Sequence, residues 1–200
     1  MVETCEVCQR MNSKTSKAEG LMTSRTVPET PFEAVSVDHF GPLDVVNGYK
    51  YVVVMVEHTT RYIICKPQKS TKSGEFLRFL EEVVSKFGSP LVLISDRGTC
   101  FTSLETFEYF EKKGIRHYTS PPYFPESNGL AERAVKTLKN VLRRIMDGNT
   151  NWKSKLNDAV FAINSSISSS TGYSPFDLMY GFKPRITDEV MFVAVIEDDT

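Results

Sequence analysis

The order of strand and helix patterns along this chain predicts a mixed α/β fold, in which helices pack on a five-stranded sheet. Three short apolar strand patterns come first, within residues 35–65. A helix, a strand, a second helix, a fifth strand and two further helices follow them. Short turns between the first three strands predict an antiparallel meander, and the later alternation with helices predicts parallel strands.

The predicted meander follows from local patterns. Apolar alternation that ends at Asp38 is typical of a half-buried strand. The pair Asn47-Gly48 favours a hairpin turn, and the continuous apolar run from Tyr51 to Val56 is the second strand. The stretch from Tyr62 to Cys65 is the third.

The second half of the predicted sheet alternates with helices. Residues 73–87 carry apolar side chains at helical spacing, and Gly88 ends that helix. Leu91 to Ile94 is a short buried strand. A helix over about 103–113 and a strand near Ile115 to Tyr118 complete the sheet.

A long helix after Gly129 has two different faces. Its apolar residues share one face and are Ala134, Leu138, Val141 and Ile145. The opposite face carries one acid and three bases, which are Glu132, Lys136, Lys139 and Arg143. This basic face fits contact with a phosphate backbone. It fits equally well a solvated surface with Glu-Lys pairs four residues apart, worth a few tenths of a kcal/mol. A further helix starts near Trp152.

Composition fits one domain with short extensions. The chain has 200 residues, 40% of them hydrophobic, and no stretch long enough to span a membrane. Its four cysteines are too few and too scattered for a disulfide scaffold. The net charge of −1 hides an asymmetry, because residues 129–155 hold seven bases against two acids and residues 187–200 are acidic. The basic region indicates a surface for a polyanion.

Three carboxylates occupy positions suited to a metal site. Asp38 and Asp96 each close a strand pattern, and Glu132 opens the long helix with 35 residues between it and Asp96. Two Mg²⁺ or Mn²⁺ ions held by such a set would activate an attacking oxygen and stabilise the leaving oxygen of a phosphodiester. Spacing alone is weak evidence, since a carboxylate occurs at a fixed offset by chance about one time in eight at this acidic content.

The residues around the carboxylates add specificity. Residues 37–43 read VDHFGPL, 95–101 read SDRGTCF, 125–133 read PESNGLAER and 170–176 read STGYSPF. In this order they resemble the signature blocks of retroviral and LTR-retrotransposon integrases, most closely those of gypsy-type elements. The resemblance covers about residues 5–185. It implies a ribonuclease H-like fold for a catalytic core over residues 32–186, with residues 187–200 as an acidic tail.

The resemblance also implies roles for individual residues. Asp38, Asp96 and Glu132 match the catalytic metal ligands, so Mg²⁺ or Mn²⁺ is the expected cofactor. The residues that match or extend DNA-contacting positions are Lys136, Lys139, Arg143, Asn128 and Tyr123. Loop packing for Tyr123 and helix capping for Asn128 remain alternatives. Glu126 departs from the family pattern and adds a negative charge near the expected DNA path. His39 is expected to be structural, although its position beside Asp38 could bring it near the metal.

Cys5 and Cys8 resemble the second half of the family's zinc-binding domain. Zinc requires four ligands, and no histidine precedes Cys5. We therefore expect residues 1–31 to be a remnant of that domain plus a linker, with no zinc bound by this chain alone.

These observations predict a DNA integrase, a polynucleotidyl transferase that processes 3′ ends and transfers strands of retroelement DNA into target DNA. The expected partners are DNA and further copies of the chain, without a membrane. The expected location is intracellular: cytoplasmic particles first, and the nucleus at integration. A domesticated module that binds DNA or protein without catalysis is the main alternative, and a ribonuclease H-type nuclease is a weaker one.

Overall fold

The computed structural model describes residues 28, 30–120, 128–146, 151–169 and 171–185. Its strands are β1 (Ala34–Phe40), β2 (Tyr51–Glu57), β3 (Ile63–Gln68), β4 (Val92–Ser95) and β5 (Arg116–Thr119). Its helices are α1 (Ser73–Phe87), α2 (Thr99–Thr102), α3 (Leu104–Lys113), α4 (Gly129–Met146), α5 (Trp152–Ser165) and α6 (Pro175–Tyr180). No helix in these described ranges is long and apolar enough to cross a membrane.

The five strands form one mixed sheet in the order β3-β2-β1-β4-β5. The pairs β1–β2 and β2–β3 are antiparallel, whereas β1–β4 and β4–β5 are parallel. The predicted meander and the predicted parallel strands are both confirmed. β1 occupies the centre, where it joins the antiparallel half of the sheet to the parallel half.

Both faces of the sheet are covered. Along β2, Val53 and Met55 face α1, α2 and α3, and Val52, Val54 and Val56 face α4 and α5. This double burial explains why β2 reads as a continuous apolar run rather than an alternating one. The result is a three-layer structure with helices on either side of the sheet.

The predicted hairpin turn is present in the loop between β1 and β2. The backbone groups of Val46 and Tyr49 exchange two hydrogen bonds of 3.0 Å. Asn47 and Gly48 lie between them with φ values of 51° and 82°. These positive angles suit a tight two-residue turn, and Asn and Gly are the residues that adopt them most readily.

The predicted helix over residues 103–113 is confirmed as α3, which begins one residue later, at Leu104. Ser103 is extended and caps α3 through its side chain, which accepts from the N–H of Thr106 at 3.3 Å. The short helix α2 before it begins three residues after Asp96 and was missed by the periodicity.

Two strands are also shifted relative to the patterns, because β3 continues through Pro67 and β5 ends at Thr119. Pro67 is tolerated because β3 is an edge strand.

Helix α5 secures the free edge of β3. The Asn164 side chain accepts from the N–H of Ile63 and donates to the carbonyl oxygen of the same residue, both at 2.9 Å. Asn164 is only 2% exposed, so its amide replaces the neighbouring strand that Ile63 lacks. At the other end of α5, the indole N–H of Trp152 donates to the carbonyl oxygen of Asp44 at 2.7 Å.

Replacing Asn164 by alanine should destabilise the fold. The Asn164→Ala change leaves a buried N–H and a buried C=O of Ile63 without partners, at a cost of about 2–4 kcal/mol in the free energy of unfolding. Urea denaturation followed by circular dichroism measures this loss. Asn157→Ala, an exposed position on the same helix, is the matched control and should change stability by no more than about 0.5 kcal/mol. Equal effects of the two changes would contradict the role given to Asn164.

Candidate active site

The register of the sheet brings two of the carboxylates together. In the parallel pair β1–β4, Ser36 lies opposite Ile94. The parallel pairing ends there. Asp38 and Asp96 each follow two residues later, so both lie just beyond the end of this pairing, and the charge of Asp96 acts on Asp38. Carboxyl ends of adjacent parallel strands are where open α/β sheets place their functional groups.

Helix α4 lies against the same face of the sheet as Asp38. Side chains alternate along β1, so Asp38 shares a face with Phe40, which packs in the core beneath α4. Two contacts attach α4 to β1. Asn128, just before the helix, donates from Nδ2 to the carbonyl oxygen of Val37 at 3.3 Å. Lys139 places its Nζ 5.2 Å from the centre of the Phe40 ring. The first turn of α4, which carries Glu132, is therefore anchored beside Asp38.

The electrostatics of Asp38 show that the three carboxylates are neighbours. Burial raises the pKa of Asp38 from 3.8 to about 6, and the charges of Asp96 and Glu132 contribute to this rise. The hydrogen bond from the His39 backbone and the charge of Lys139 oppose it. The raised pKa means that the negative charge on Asp38 is costly in this environment unless a cation balances it.

The hydrogen bonds of the two aspartates orient their side chains. Asp38 Oδ1 accepts from the N–H of His39 at 2.7 Å, and Asp96 Oδ1 accepts from the N–H of Gly98 at 2.9 Å. In each case the hydrogen bond engages Oδ1. Asp96 and Glu132 are exposed and Asp38 is half-buried. Carboxylate oxygens of this kind are the donors that Mg²⁺ and Mn²⁺ prefer, so the donor set fits the expected cations.

The carboxylates of Asp38, Asp96 and Glu132 do not form a compact cluster. Among the described residues, no three Asp, Glu, His or Cys side chains lie close enough together to form a preassembled cation site. Like charges at short range repel one another, which opposes close approach of three carboxylates. The structure thus places Asp38, Asp96 and Glu132 in one neighbourhood, and their function as metal ligands stays a prediction.

The stacked rings of His39 and Phe101 lie on the other face of the sheet, next to the turn that holds Asp96. A Cβ at Gly98 would lie 3.0 Å from Asp96 Oδ1 and 3.2 Å from the Phe101 ring. Phe101 in turn stacks on His39, with ring centres 5.0 Å apart. Gly98 and Phe101 therefore connect the turn after β4 to the end of β1. Sequence reasoning missed both residues, although Asp96-Arg97-Gly98 carried the signal of a tight aspartate turn.

His39 faces away from the carboxylates and has a structural role. Its Nε2 is 2.7 Å from Gln68 Oε1, and its Nδ1 is 3.7 Å from the sulfur of Cys100. Burial lowers the pKa of His39, which favours the neutral ring. The possibility that it approaches the metal is therefore not supported. Cys100 is buried, and Cys65 is half-buried. Burial raises the pKa of both thiols.

The basic face of α4 points to solvent. Glu132, Lys136, Lys139 and Arg143 are all exposed. Within the described ranges no ion pair joins Glu132 to Lys136, so the ordinary pairing that would explain this face is absent there. The buried face was predicted slightly off centre, because Ala134 and Ile145 are only half-buried. The buried residues of α4 are Ala131, Val135, Leu138, Val141 and Leu142.

Asn128 does not cap α4. Its side chain is 2% exposed, and its Oδ1 has no partner among the described residues. Its observed role is the anchor to Val37, and contact with DNA stays a prediction. Tyr123, Glu126, Cys5, Cys8 and the acidic tail all lie outside the described residues.

Comparison with known proteins identifies the family. The integrase core domain model matches residues 28–125, which include Asp38 and Asp96. The Pro-Pol polyprotein of simian foamy virus type 3 is 31% identical over 182 residues, covering 90% of this chain and 16% of the polyprotein. The chain belongs to the integrase catalytic core family.

Two further relatives are much longer than this chain. An uncharacterized protein of Caenorhabditis elegans is 36% identical over 188 residues, which are 94% of this chain and 14% of that protein. The Transposon Tf2-3 polyprotein of Schizosaccharomyces pombe is 27% identical over 189 residues, which are 93% of this chain and 14% of that polyprotein. The integrase core chain therefore spans about one sixth or less of the length of the relatives it matches.

Solved structures confirm the ribonuclease H-like fold of this integrase core. The integrase catalytic core domain of HTLV-2, solved in complex with magnesium, has a TM-score of 0.63 and 22% identity, and the match covers 75% of this chain and 97% of that one. The simian T-cell lymphotropic virus intasome in complex with the PP2A regulatory subunit B56 gamma has a TM-score of 0.70 and 24% identity. That match covers 93% of this chain and 66% of the other chain.

Adding a methyl group at Gly98 should disturb the turn that holds Asp96. In Gly98→Ala the new Cβ meets Asp96 Oδ1 at 3.0 Å, so we expect a loss of about 1–3 kcal/mol in the free energy of unfolding. We also expect Mn²⁺ affinity, measured by isothermal titration calorimetry, to weaken by about tenfold.

Gly129→Ala is the matched control for Gly98→Ala. A Cβ at Gly129, at the start of α4, has nothing within 4 Å, so neither stability nor Mn²⁺ affinity should fall. Unchanged Mn²⁺ affinity in Gly98→Ala would show that this turn does not position a cation ligand.

Proposed function

We propose that this chain is the catalytic core of a metal-dependent DNA integrase, which processes the 3′ ends of retroelement DNA and transfers them into target DNA. One observation carries the proposal: the parallel pairing of β1 with β4 brings Asp38 and Asp96 to one edge of the sheet, and the hydrogen bond from Asn128 to Val37 sets the start of the helix that carries Glu132 beside them. Membership of the integrase core family supports the same reaction class. The four sequence blocks favour a gypsy-type element.

The chain's own residues have separable tasks in this reaction. Asp38, Asp96 and Glu132 would hold Mg²⁺ or Mn²⁺ through their carboxylate oxygens. Bound cations of this type supply an activated attacking oxygen and neutralise charge on the leaving oxygen. The turn at Gly98 orients Asp96, and the first turn of α4 carries Glu132 to the same region, so bound cations would draw the three carboxylates together.

The exposed basic face of α4 would hold the DNA. Lys139 is the best placed of its residues, because its contact with Phe40 keeps its charge two residues from Asp38 along β1. Lys136 and Arg143 extend the positive charge along the helix. Such contacts bind the phosphate backbone without reading bases, and the affinity falls as salt rises.

Assembly and location follow from the same proposal. HTLV-2 integrase cores have been solved in dimeric and trimeric forms, which supports a homo-oligomer here. The longer proteins that contain similar segments support an origin in a retroelement polyprotein. Residues 1–31 as a zinc-domain remnant, action in the nucleus, and cytoplasmic particles before integration belong to this proposal as well.

Asp96→Asn should abolish the reaction without unfolding the protein. The asparagine oxygen can still accept the hydrogen bond from Gly98, so the turn is kept while the negative charge is lost. Mn²⁺-dependent disintegration of a branched oligonucleotide by the full chain should fall by about 1000-fold. Asp158→Asn removes an exposed carboxylate whose ion pair with Lys155 is 3.7 Å long, and it should retain full activity.

The Asp96→Asn experiment distinguishes a catalytic protein from one that only binds DNA. Wild-type rates in a folded Asp96→Asn protein would refute the assignment of the triad. An inactive wild-type chain that still binds DNA would favour the non-catalytic module instead.

A further inference from the structure

A second group of basic residues surrounds the hairpin before β2. Lys153 Nζ lies 4.3 Å from the centre of the Tyr49 ring, and Lys69 Nζ lies 5.4 Å from the same centre. Lys50 Nζ lies 5.5 Å from the centre of the Tyr51 ring. We call Tyr49, Lys50, Lys69 and Lys153 the tyrosine–lysine patch. Its lysines come from three separate parts of the chain, which the fold brings to one surface.

The patch stands on a fixed base. Tyr49 is half-buried and packs against the core beneath α4 and α5. The backbone N–H of Lys50 donates to the carbonyl oxygen of Gln68 at 3.1 Å, which ties the hairpin to the end of β3. The bond from Trp152 to the same loop ties it to the start of α5, where Lys153 follows. These contacts fix the backbone from which Lys50 and Lys153 extend.

The charges of the patch are not balanced within the structure. Two ammonium groups share one tyrosine ring and repel each other, and contact with a ring offsets only about 0.5–1 kcal/mol at exposed sites. Among the described residues no carboxylate forms an ion pair with any of the three lysines. The nearby Glu75 carboxylate instead accepts from the backbone N–H groups of Lys69 and Ser70. An external anion would therefore relieve the repulsion.

The patch is joined to the basic face of α4 by the loop before β2. Lys139 lies over Phe40, the last residue of β1. The loop that follows reaches the patch within a few residues, because the N–H of Leu43 donates to the carbonyl oxygen of Lys50 at 2.7 Å. The loop itself carries Asp44 and only one base, Lys50, so the basic face of α4 and the patch are two basic regions joined by this loop. A polyanion with regularly spaced phosphates fits such a surface better than a single small anion does.

We propose that the tyrosine–lysine patch is a second DNA-backbone contact, which holds duplex DNA where it leads away from the candidate active site. This inference rests on the proposed function, since it takes the DNA held by the basic face of α4 as its starting point. The lysines bind phosphates, and they take no part in the chemical step.

Salt dependence of DNA binding tests the proposal. The affinity for DNA falls as salt rises, and each phosphate contact contributes about 0.9 to the steepness of a plot of log affinity against log salt. The Lys69→Gln/Lys153→Gln double variant of the full chain should therefore give a slope that is shallower by about 1.8. The measurement is fluorescence anisotropy of a labelled DNA duplex across a salt series. The conservative Lys69→Arg/Lys153→Arg variant should keep the wild-type slope, because arginine also binds phosphate.

The matched control lies on α3. Lys112→Gln/Lys113→Gln makes the same change in net charge, and Lys113 has the same kind of ring contact, 5.7 Å from the centre of Tyr109. This pair should leave the slope unchanged. Equal slopes in the two glutamine pairs would overturn the proposal, because only total charge would then matter. If the double variant fails to fold, Lys69→Gln alone, at an exposed position, should show half the effect, and no change in its slope overturns the proposal.

A separate readout tells failure of this inference from failure of the proposed function. In Mn²⁺-dependent disintegration at saturating DNA, the patch variant should keep the wild-type maximal rate, and a loss of that rate would overturn its role as a pure binding surface. If the wild-type chain proves inactive, the proposed function fails, while a slope difference specific to the patch still supports the DNA contact.

Discussion

The parallel pairing of β1 with β4 is the interaction on which the candidate site depends. It sets two strands side by side with a register that carries Asp38 and Asp96 to the same point, although more than fifty residues separate them. A shift of one residue in that register would turn one aspartate to the opposite face of the sheet. Burial of Val35, Val37 and Leu93 under α1 and α2 opposes such a shift, because the apolar side chains would then face the wrong layer. The position of the carboxylates is therefore maintained by the hydrophobic core on the other side of the sheet.

The third carboxylate depends on a different set of forces. Glu132 is exposed on the first turn of α4, so its position is decided by the helix that carries it. The apolar face of α4 packs on β1 and β2, and the contacts of Asn128 with Val37 and of Lys139 with Phe40 fix the helix along its axis. Both contacts are made to residues within two positions of Asp38. The site is thus defined by the one strand that also lies at the centre of the sheet.

Opposite charges are separated in a way that suits a polyanionic substrate. Acidic side chains occupy the ends of the parallel strands and the start of α4, where the raised pKa of Asp38 reflects burial and repulsion. Basic side chains lie on α4, where Lys139 contacts Phe40, and in the patch formed by Lys50, Lys69 and Lys153. A net charge close to zero conceals this arrangement, because the acidic and basic residues cancel in the sum and not on the surface. The carboxylates would attract cations and the lysines would attract phosphates, and phosphodiester chemistry needs both.

Local pattern determined much of this protein. The alternation before Asp38, the Asn47-Gly48 turn and the two faces of α4 depend on neighbours within a few residues, so the strands, the hairpin and the exposed basic face could be read directly. The short helix α2 was missed, and the buried face of α4 was placed slightly wrongly, because both depend on what the helices pack against. Only tertiary structure decided that Asp38 and Asp96 meet at one edge of the sheet, that His39 faces away, that a side chain at Gly98 would crowd Asp96 and Phe101, and that Lys69 and Lys153 share Tyr49. These are contacts between distant segments, and they follow from strand register and from the packing of two layers on one sheet, neither of which any short stretch of sequence contains.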